Sequence, residues 1–181
     1  VTGPPGPAAG PGAGELRLRR PTLADESACR AAHAELAADG FDFLFSPELP
    51  WPAQLAELAR EAAGTDLPRG RVPADYLLAD VSGEVVGRVS VRHALTPALL
   101  ELGGHVGYAV RPAWRRRGYG RAILALALRR CAALGLAEVL VTCDEDNLAS
   151  ARVIEACGGV LEDVRPQPGG APGKRRYWVS S

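Results

Sequence analysis

The stretch "RPAWRRRGYGRAIL", residues 111–124, crowds Arg115, Arg116, Arg117 and Arg121 around Gly118 and Gly120. Guanidinium groups at that spacing repel one another unless solvent or an anion screens them. The stretch lies where the apolar run "HVGYAV" gives way to residues at helical spacing, so it marks the start of a helix. A helix start offers unpaired backbone N–H groups and a partial positive charge, and phosphate is the natural ligand there. Gly118 and Gly120, on either side of Tyr119, carry no Cβ to keep an oxygen away, and the arginines add donors matched to phosphate geometry. Neither G-x-x-x-x-G-K-[ST] nor G-x-G-x-x-G occurs, which argues against a nucleoside-triphosphate loop and a dinucleotide site. The chemistry called for is the binding of some other phosphorylated ligand.

The elements that must hold this loop can be read on either side of it. "ELRLRR", Glu15 to Arg20, alternates apolar and basic residues and predicts a first strand. A helix is predicted from Thr22 to a stop at Asp39-Gly40, and a second from Pro52 to Ala63. Between them "GFDFLFSPELPW" holds all three phenylalanines and suits either a hydrophobic plug or an aromatic wall, with Asp42 and Glu48, at a substrate entrance. "ADYLLADV" and "VVGRVSVRH" around a Ser-Gly turn predict an antiparallel hairpin. A connection from Ala94 to Gly104 leads to the fourth strand, "HVGYAV". In the helix that follows, Ile123, Leu124, Ala127, Leu128, Cys131 and Leu134 share one face. "AEVLVTC" is a fifth strand, "NLASARVIEACGG" a helix with a glycine stop, and "VLEDV" and "KRRYWV" two last strands. The order predicts a mixed α/β domain over residues 15–181, preceded by a disordered Gly/Pro-rich tail, residues 1–14.

Composition narrows the partners. Lys plus Arg equals Asp plus Glu at 21 each, so no global field draws the chain to nucleic acid or to an anionic membrane. No run reaches the ~20 apolar residues of a membrane span, and no signal-peptide layout opens the chain. A cytoplasmic protein is expected. The four cysteines form no C-x-x-C pair, so no metal site or redox motif is signalled. Lys174 is the only lysine and methionine is absent, a bias that fits a GC-rich, bacterial coding sequence.

"RRRGYG" with its context resembles the [QR]-x-x-G-x-[GA] loop of the GNAT superfamily of acetyl-CoA-dependent N-acetyltransferases, with Arg115, Gly118 and Gly120 at the fixed positions. The strand ending "GYAV" precedes it, and "DNLASARVIEACGG" is similar to the family's second motif; the order of elements agrees from Glu15 to Val179. The resemblance implies a mostly antiparallel sheet of about seven strands with about four helices, in which the fourth and fifth strands splay apart. It implies that Ala109 and Val110 hold the pantetheine arm of acetyl-CoA as an added strand would. The N–H groups from Arg116 through Arg117, Gly118, Tyr119 and Gly120 to Arg121 would then take the pyrophosphate, with Asn147 and Ser150 facing the cofactor across the splay. Asn147 can equally be a plain helix N-cap.

The implied activity is direct transfer of acetyl to a primary amine of a small molecule or peptide, with no metal and with a homodimer as a possible assembly. Such transfer needs a base for the amine, a donor for the thioester oxygen and a way for thiolate to leave. The N–H of Val110 suits the second need. The tyrosine that many members use for the third corresponds to Ile154, so thiolate leaves unaided or Tyr108 or Tyr177 assists. For the first, His105 and His93 are the candidate bases, with a water-relayed Glu101 as the alternative. Two other classes compete with the enzyme. One is a non-catalytic acyl-CoA-binding or regulatory module, which would release no CoA in the presence of an amine. The other is a nucleic-acid binder, which would show steep salt dependence and which zero net charge disfavours.

Overall fold

The computed structural model describes residues 15–181; the segment 1–14, expected as a tail, lies outside the described residues. Its seven strands are β1 (Leu16–Arg19), β2 (Ala74–Val81), β3 (Glu84–Arg92), β4 (Val106–Val110), β5 (Glu138–Asp144), β6 (Val160–Arg165) and β7 (Lys174–Ser180). Four α-helices accompany them: α1 (Glu26–Ala37), α2 (Trp51–Ala63), α3 (Tyr119–Ala133) and α4 (Leu148–Ala156). All strands join one sheet in the order β1-β2-β3-β4-β5-β7-β6. Every neighbouring pair is antiparallel except β4 and β5.

Helices cover both faces of the sheet, which is why β2 and β3 are buried along nearly their whole lengths. On one face α3 lays down Ile123, Leu124, Ala127, Leu128 and Cys131, as their spacing predicts, and α4 adds Ala151 and Ile154. On the other face α1 and α2 pack with Phe43, Leu44, Tyr76 and Leu78. The aromatic segment serves here as a plug. Trp51 Nε1 donates to Thr22 O at 3.0 Å, and Tyr76 Oη donates to Phe43 O at 2.7 Å.

Two turns depart from the predicted elements. The first helix opens as a 3₁₀ turn, Leu23–Asp25, because Asp25 folds back to accept from the Thr22 N–H at 2.7 Å and the Thr22 hydroxyl at 2.8 Å. The connection after β3 contains a π-helical turn, Leu99–Gly103, closed by Gly104 N–H donating to Leu99 O at 2.6 Å.

Charge pairing ties the outer strands down. Lys174 Nζ sits 2.6 Å from Asp144 Oδ1, and Arg176 is buried between Asp163 and Glu162 while donating to Leu100 O. At the opposite edge Arg19 bridges Asp25 (2.7 Å) and Asp80 (2.8 Å). The Arg19 guanidinium, with help from Thr22, holds the Asp25 carboxyl down at about 2, against its ordinary 3.8. At ~1.4 kcal/mol per pH unit that difference is worth about 2 kcal/mol, all of it present above about pH 4 and lost as pH falls toward 2. The expected result is that Asp25→Asn lowers stability by about 2 kcal/mol at pH 7 and that the gap between variant and wild type closes in acid. Urea unfolding at pH 7, 4 and 2.5 measures it.

Candidate active site

The β4–β5 gap is the feature that positions everything else. β4 aligns with β3 over five residue pairs, from Val91↔Val106 to Gly87↔Val110, whereas its register with β5 is the single pair Val106↔Val141. At the vertex Gly104 turns the chain with φ +66°, and a Cβ there would lie 2.7 Å from Leu140 O. His105 N–H donates to Leu140 O at 2.7 Å and its ring Nδ1 accepts from Leu140 N–H at 2.9 Å. Past this clamp the strands part.

Backbone direction decides which groups face the gap. Arg111 N–H donates to Val86 O on β3 at 2.9 Å, and successive strand residues alternate sides. Tyr108 and Val110 therefore turn their N–H and C=O into the gap, and Ala109 turns its own toward Arg88 on β3. Of the pair Ala109 and Val110 expected to hold an extended arm, only Val110 has the right direction, with Tyr108 as its companion. Ala109 packs its methyl against the α1/α2 core instead.

Below the end of β4 the chain makes a 3₁₀ turn, Pro112–Trp114, and enters α3 through two left-handed residues, Arg116 at φ +60° and Gly118 at φ +84°. The consequence is a run of six backbone N–H groups, from Arg116 to Arg121, that donate to nothing among the described residues. Such a turn at a helix start is an anion cradle. The arginines divide their labour. Arg115 Nε donates to Val110 O at 3.1 Å while its other end pairs with Asp39, and Arg111 grips Glu35 at 2.6 Å and 2.9 Å. Arg117 lies 5.3 Å from the Trp114 ring, and Trp114 meets Tyr119 edge to face. Arg116 and Arg121 make no side-chain hydrogen bond among the described residues.

Across the gap, Asn147 caps α4, its Oδ1 accepting from Ser150 N–H at 3.0 Å. The N-cap reading of this residue is thus what its side chain does. Ser150 Oγ reaches back to Tyr108 Oη at 3.2 Å, so a hydroxyl pair bridges β4 and the start of α4. Burial pushes the Tyr108 phenol up to about 12. Ile154, which stands at the tyrosine position, is fully buried in the core. Tyr177 is likewise removed from the gap, with its hydroxyl on Glu155 Oε1 at 3.1 Å.

The histidines do not gather at the gap mouth. His105 is buried at the vertex, its pKa lowered by burial and by Arg92, and its Nδ1 lone pair is occupied by Leu140 N–H. His93 faces Asp75 at 3.1 Å, beside Arg130 in the last turn of α3. Eleven residues of helix, about 16 Å, separate that turn from the cradle. Glu101 belongs to the π-helical turn and lies 3.7 Å from Arg165. Cys143 is buried, which pushes its thiol up and makes it a poor nucleophile. No group of three or more His, Cys, Asp or Glu residues among the described residues is arranged to hold a metal. No helix among them is long and apolar enough to cross a membrane.

Residues 15–160 match the family model described as an acetyltransferase (GNAT) domain. No curated protein sequence matches the chain at a significant level. Among solved structures, RimJ of Mycobacterium smegmatis, in complex with CoA-disulfide, superposes with a TM-score of 0.71 at 20% identity, covering 93% of this chain and 83% of that one. An acetyltransferase of the GNAT family from Streptococcus pneumoniae gives 0.65 at 17% identity, covering 92% and 100%. The spermidine N-acetyltransferase of Vibrio cholerae, in complex with CoA and spermine, gives 0.63 at 14% identity, covering 91% and 95%.

Proposed function

The chain belongs to the GNAT acetyltransferase family, and from that premise we propose that it binds acetyl-CoA in the β4–β5 gap and transfers the acetyl group directly to a primary amine of a small molecule or peptide. The observation that carries the reading is the run of six unpaired N–H groups at the head of α3, placed where the gap opens. RimJ with CoA-disulfide and the spermidine enzyme with CoA, both of this fold, support the choice of ligand.

Each residue then has a task its geometry permits. The N–H groups from Arg116 to Arg121 receive the pyrophosphate, with Arg116 and Arg121 supplying screening charge. Tyr108 and Val110 offer the pantetheine amides a strand edge, and the N–H of Val110 faces the position of the thioester oxygen, where it stabilises negative charge as the amine attacks. Tyr108 stays protonated at neutral pH and donates to the departing sulfur, oriented by Ser150. A phenol near 12 does not hand its proton outright to a thiolate whose conjugate acid is near ~8.5, so its contribution is a hydrogen bond that strengthens as charge develops. His105 serves as the clamp that sets the gap, since protonating Nδ1 would break its bond to Leu140. The amine therefore gives up its proton to water. All four cysteines are free thiols, which suits a reducing cytoplasm.

The test is thiol release. Purified protein given acetyl-CoA and a panel of polyamines, amino acids and peptides is expected to liberate CoA in proportion to the acetylated amine found by mass spectrometry. Tight acetyl-CoA binding with no CoA released by any amine would replace the enzyme with a non-catalytic acyl-CoA-binding module.

A further inference from the structure

Among the described residues, buried charge is paired, with one exception. Asp25, Asp75, Asp80 and Arg176 each have an oppositely charged partner. Arg88 on β3 is 4% exposed and has none. One of its terminal nitrogens donates to Asp42 O at 2.6 Å, its Nε is buried without a partner, and Phe41 and Phe45 close on its two sides with ring centroids at 4.6 Å. Two positions along the strand Ser90 is buried, and two further on Arg92 donates to Gly103 O and Gly104 O, again with no carboxylate. Taking guanidinium groups out of water without a counter-charge costs several kcal/mol unless an anion is supplied from elsewhere.

Beside this row lies a cavity of about 130 Å³, floored by Ser90 and Arg92 and walled by Phe45, Glu61, Arg71 and Leu99. That is about four water volumes, enough for a carboxyl group on a short stem. Arg71 pairs with Glu61 at 3.0 Å and stands 5.9 Å from the centroid of the Phe45 ring, which Arg88 approaches to 4.6 Å. Of the three guanidinium groups only Arg71 has a carboxylate in ion-pair contact, Glu61. On the gap side of the cavity Ser90 pairs with Gly107 of β4, and a Cβ built on Gly107 would meet nothing within 4 Å, so no side chain covers the sheet at that point.

We propose that this cavity is the anion site of the acceptor, and that the amine this enzyme acetylates carries a carboxylate about 5–10 Å from its nitrogen, one to two strand spacings away. The inference rests on the acetyl-transfer reading and specifies the acceptor class for the same gap. Arg92 and Ser90 receive the carboxylate and Arg71 closes over it. Phe45 holds Arg88 behind them as fixed positive charge, leaving the amine to extend across Gly107 to the gap.

Matched acceptors test it: glutamate against glutamine, and peptide amides beginning with Glu against those beginning with Gln, with CoA release as the readout. The acid member of a pair is expected to have a kcat/KM about tenfold or more above its amide, as a charge-assisted contact requires, and Arg71→Ala to shrink that ratio to about threefold or less. A preference confined to the free amino acids or to the peptides says which source the site serves. Calorimetry of N-acetylglutamate and N-acetylglutamine with CoA-free protein gives a second readout, in which the acid binds more tightly and Arg71→Ala removes the difference. Equal rates for acid and amide, or no turnover of any acid, with acetyl-CoA binding intact, would overturn the inference. So would equal calorimetric affinity of the two acetylated compounds. Loss of acetyl-CoA binding would instead strike the acetyl-transfer reading, and the calorimetry would still judge the cavity.

Discussion

Gly120→Glu is expected to abolish acetyl-CoA binding while the fold survives. The glycine lies in the first turn of α3 with ordinary helical backbone, and a Cβ there would meet Val153, Tyr108 and Val110 at 3.6, 3.8 and 3.9 Å, which is normal contact. The backbone there can therefore accept a Cβ. What it cannot accept is a carboxylate amid N–H groups that await a phosphate, because the acid both fills the cradle and neutralises its field. The dissociation constant should rise about a hundredfold or more, the value of losing several charge-assisted bonds together. Gly120→Ala, which adds bulk without charge, should weaken binding less. Calorimetry with acetyl-CoA, with the melting temperature as the check on folding, decides the matter. Unchanged affinity in a folded Gly120→Glu protein would remove the cradle from the cofactor site.

Tyr108→Phe should lower kcat about a hundredfold, at the low end of what removing one preorganised hydrogen bond to developing charge costs, with acetyl-CoA affinity little changed. The phenol is the hydroxyl that β4 carries beside the gap, and Ser150 holds it at 3.2 Å. Because burial raises its pKa to about 12, it remains a donor throughout the neutral and mildly alkaline range. Activity limited by this group should not fall between pH 7 and 10. Ser150→Ala should produce a smaller loss, since it frees the phenol without removing it. Steady-state kinetics across that pH range, with acetyl-CoA binding measured alongside, separates the two roles. A Tyr108→Phe enzyme with normal kcat would mean that thiolate leaves without help.

Much of the frame was legible because it depends on local pattern. The apolar face of α3 repeats within single turns, and Gly118 lies where a left-handed residue is needed to enter the helix, so both could be read from neighbouring residues. The mostly antiparallel sheet of about seven strands, with the fourth and fifth parting, was implied by the resemblance and holds in the structure. What could not be read depends on contacts distant along the chain. His105 has the residue type and strand position of a base, yet its Nδ1 is bound by a backbone N–H from 35 residues later. Arg88 and Arg92 look like ordinary polar positions in a strand. Their enclosure becomes visible only once Phe41 and Phe45 fold over Arg88, whose hydrogen bond to Asp42 spans 46 residues. Ala109 and Val110 are adjacent in one apolar run, and only the register with β3 shows that their backbones face opposite ways.

The ion pair of Lys174 with Asp144 has a consequence for the enzyme's own chemical integrity. A protein that handles an acyl donor and selects for amines is exposed to its own reagent, and every accessible lysine is a competing acceptor. Here the side-chain inventory offers one such amine in 181 residues. That amine, at the start of β7, is held 2.6 Å from the Asp144 carboxylate and is mostly covered, so its reach toward a bound thioester is taken up by this contact. Arginine supplies nearly all the remaining positive charge, and a guanidinium does not become a nucleophile at neutral pH. A chain whose positive charge is carried by arginine in place of lysine thus presents few side-chain amines that could compete with the acceptor for acetyl groups.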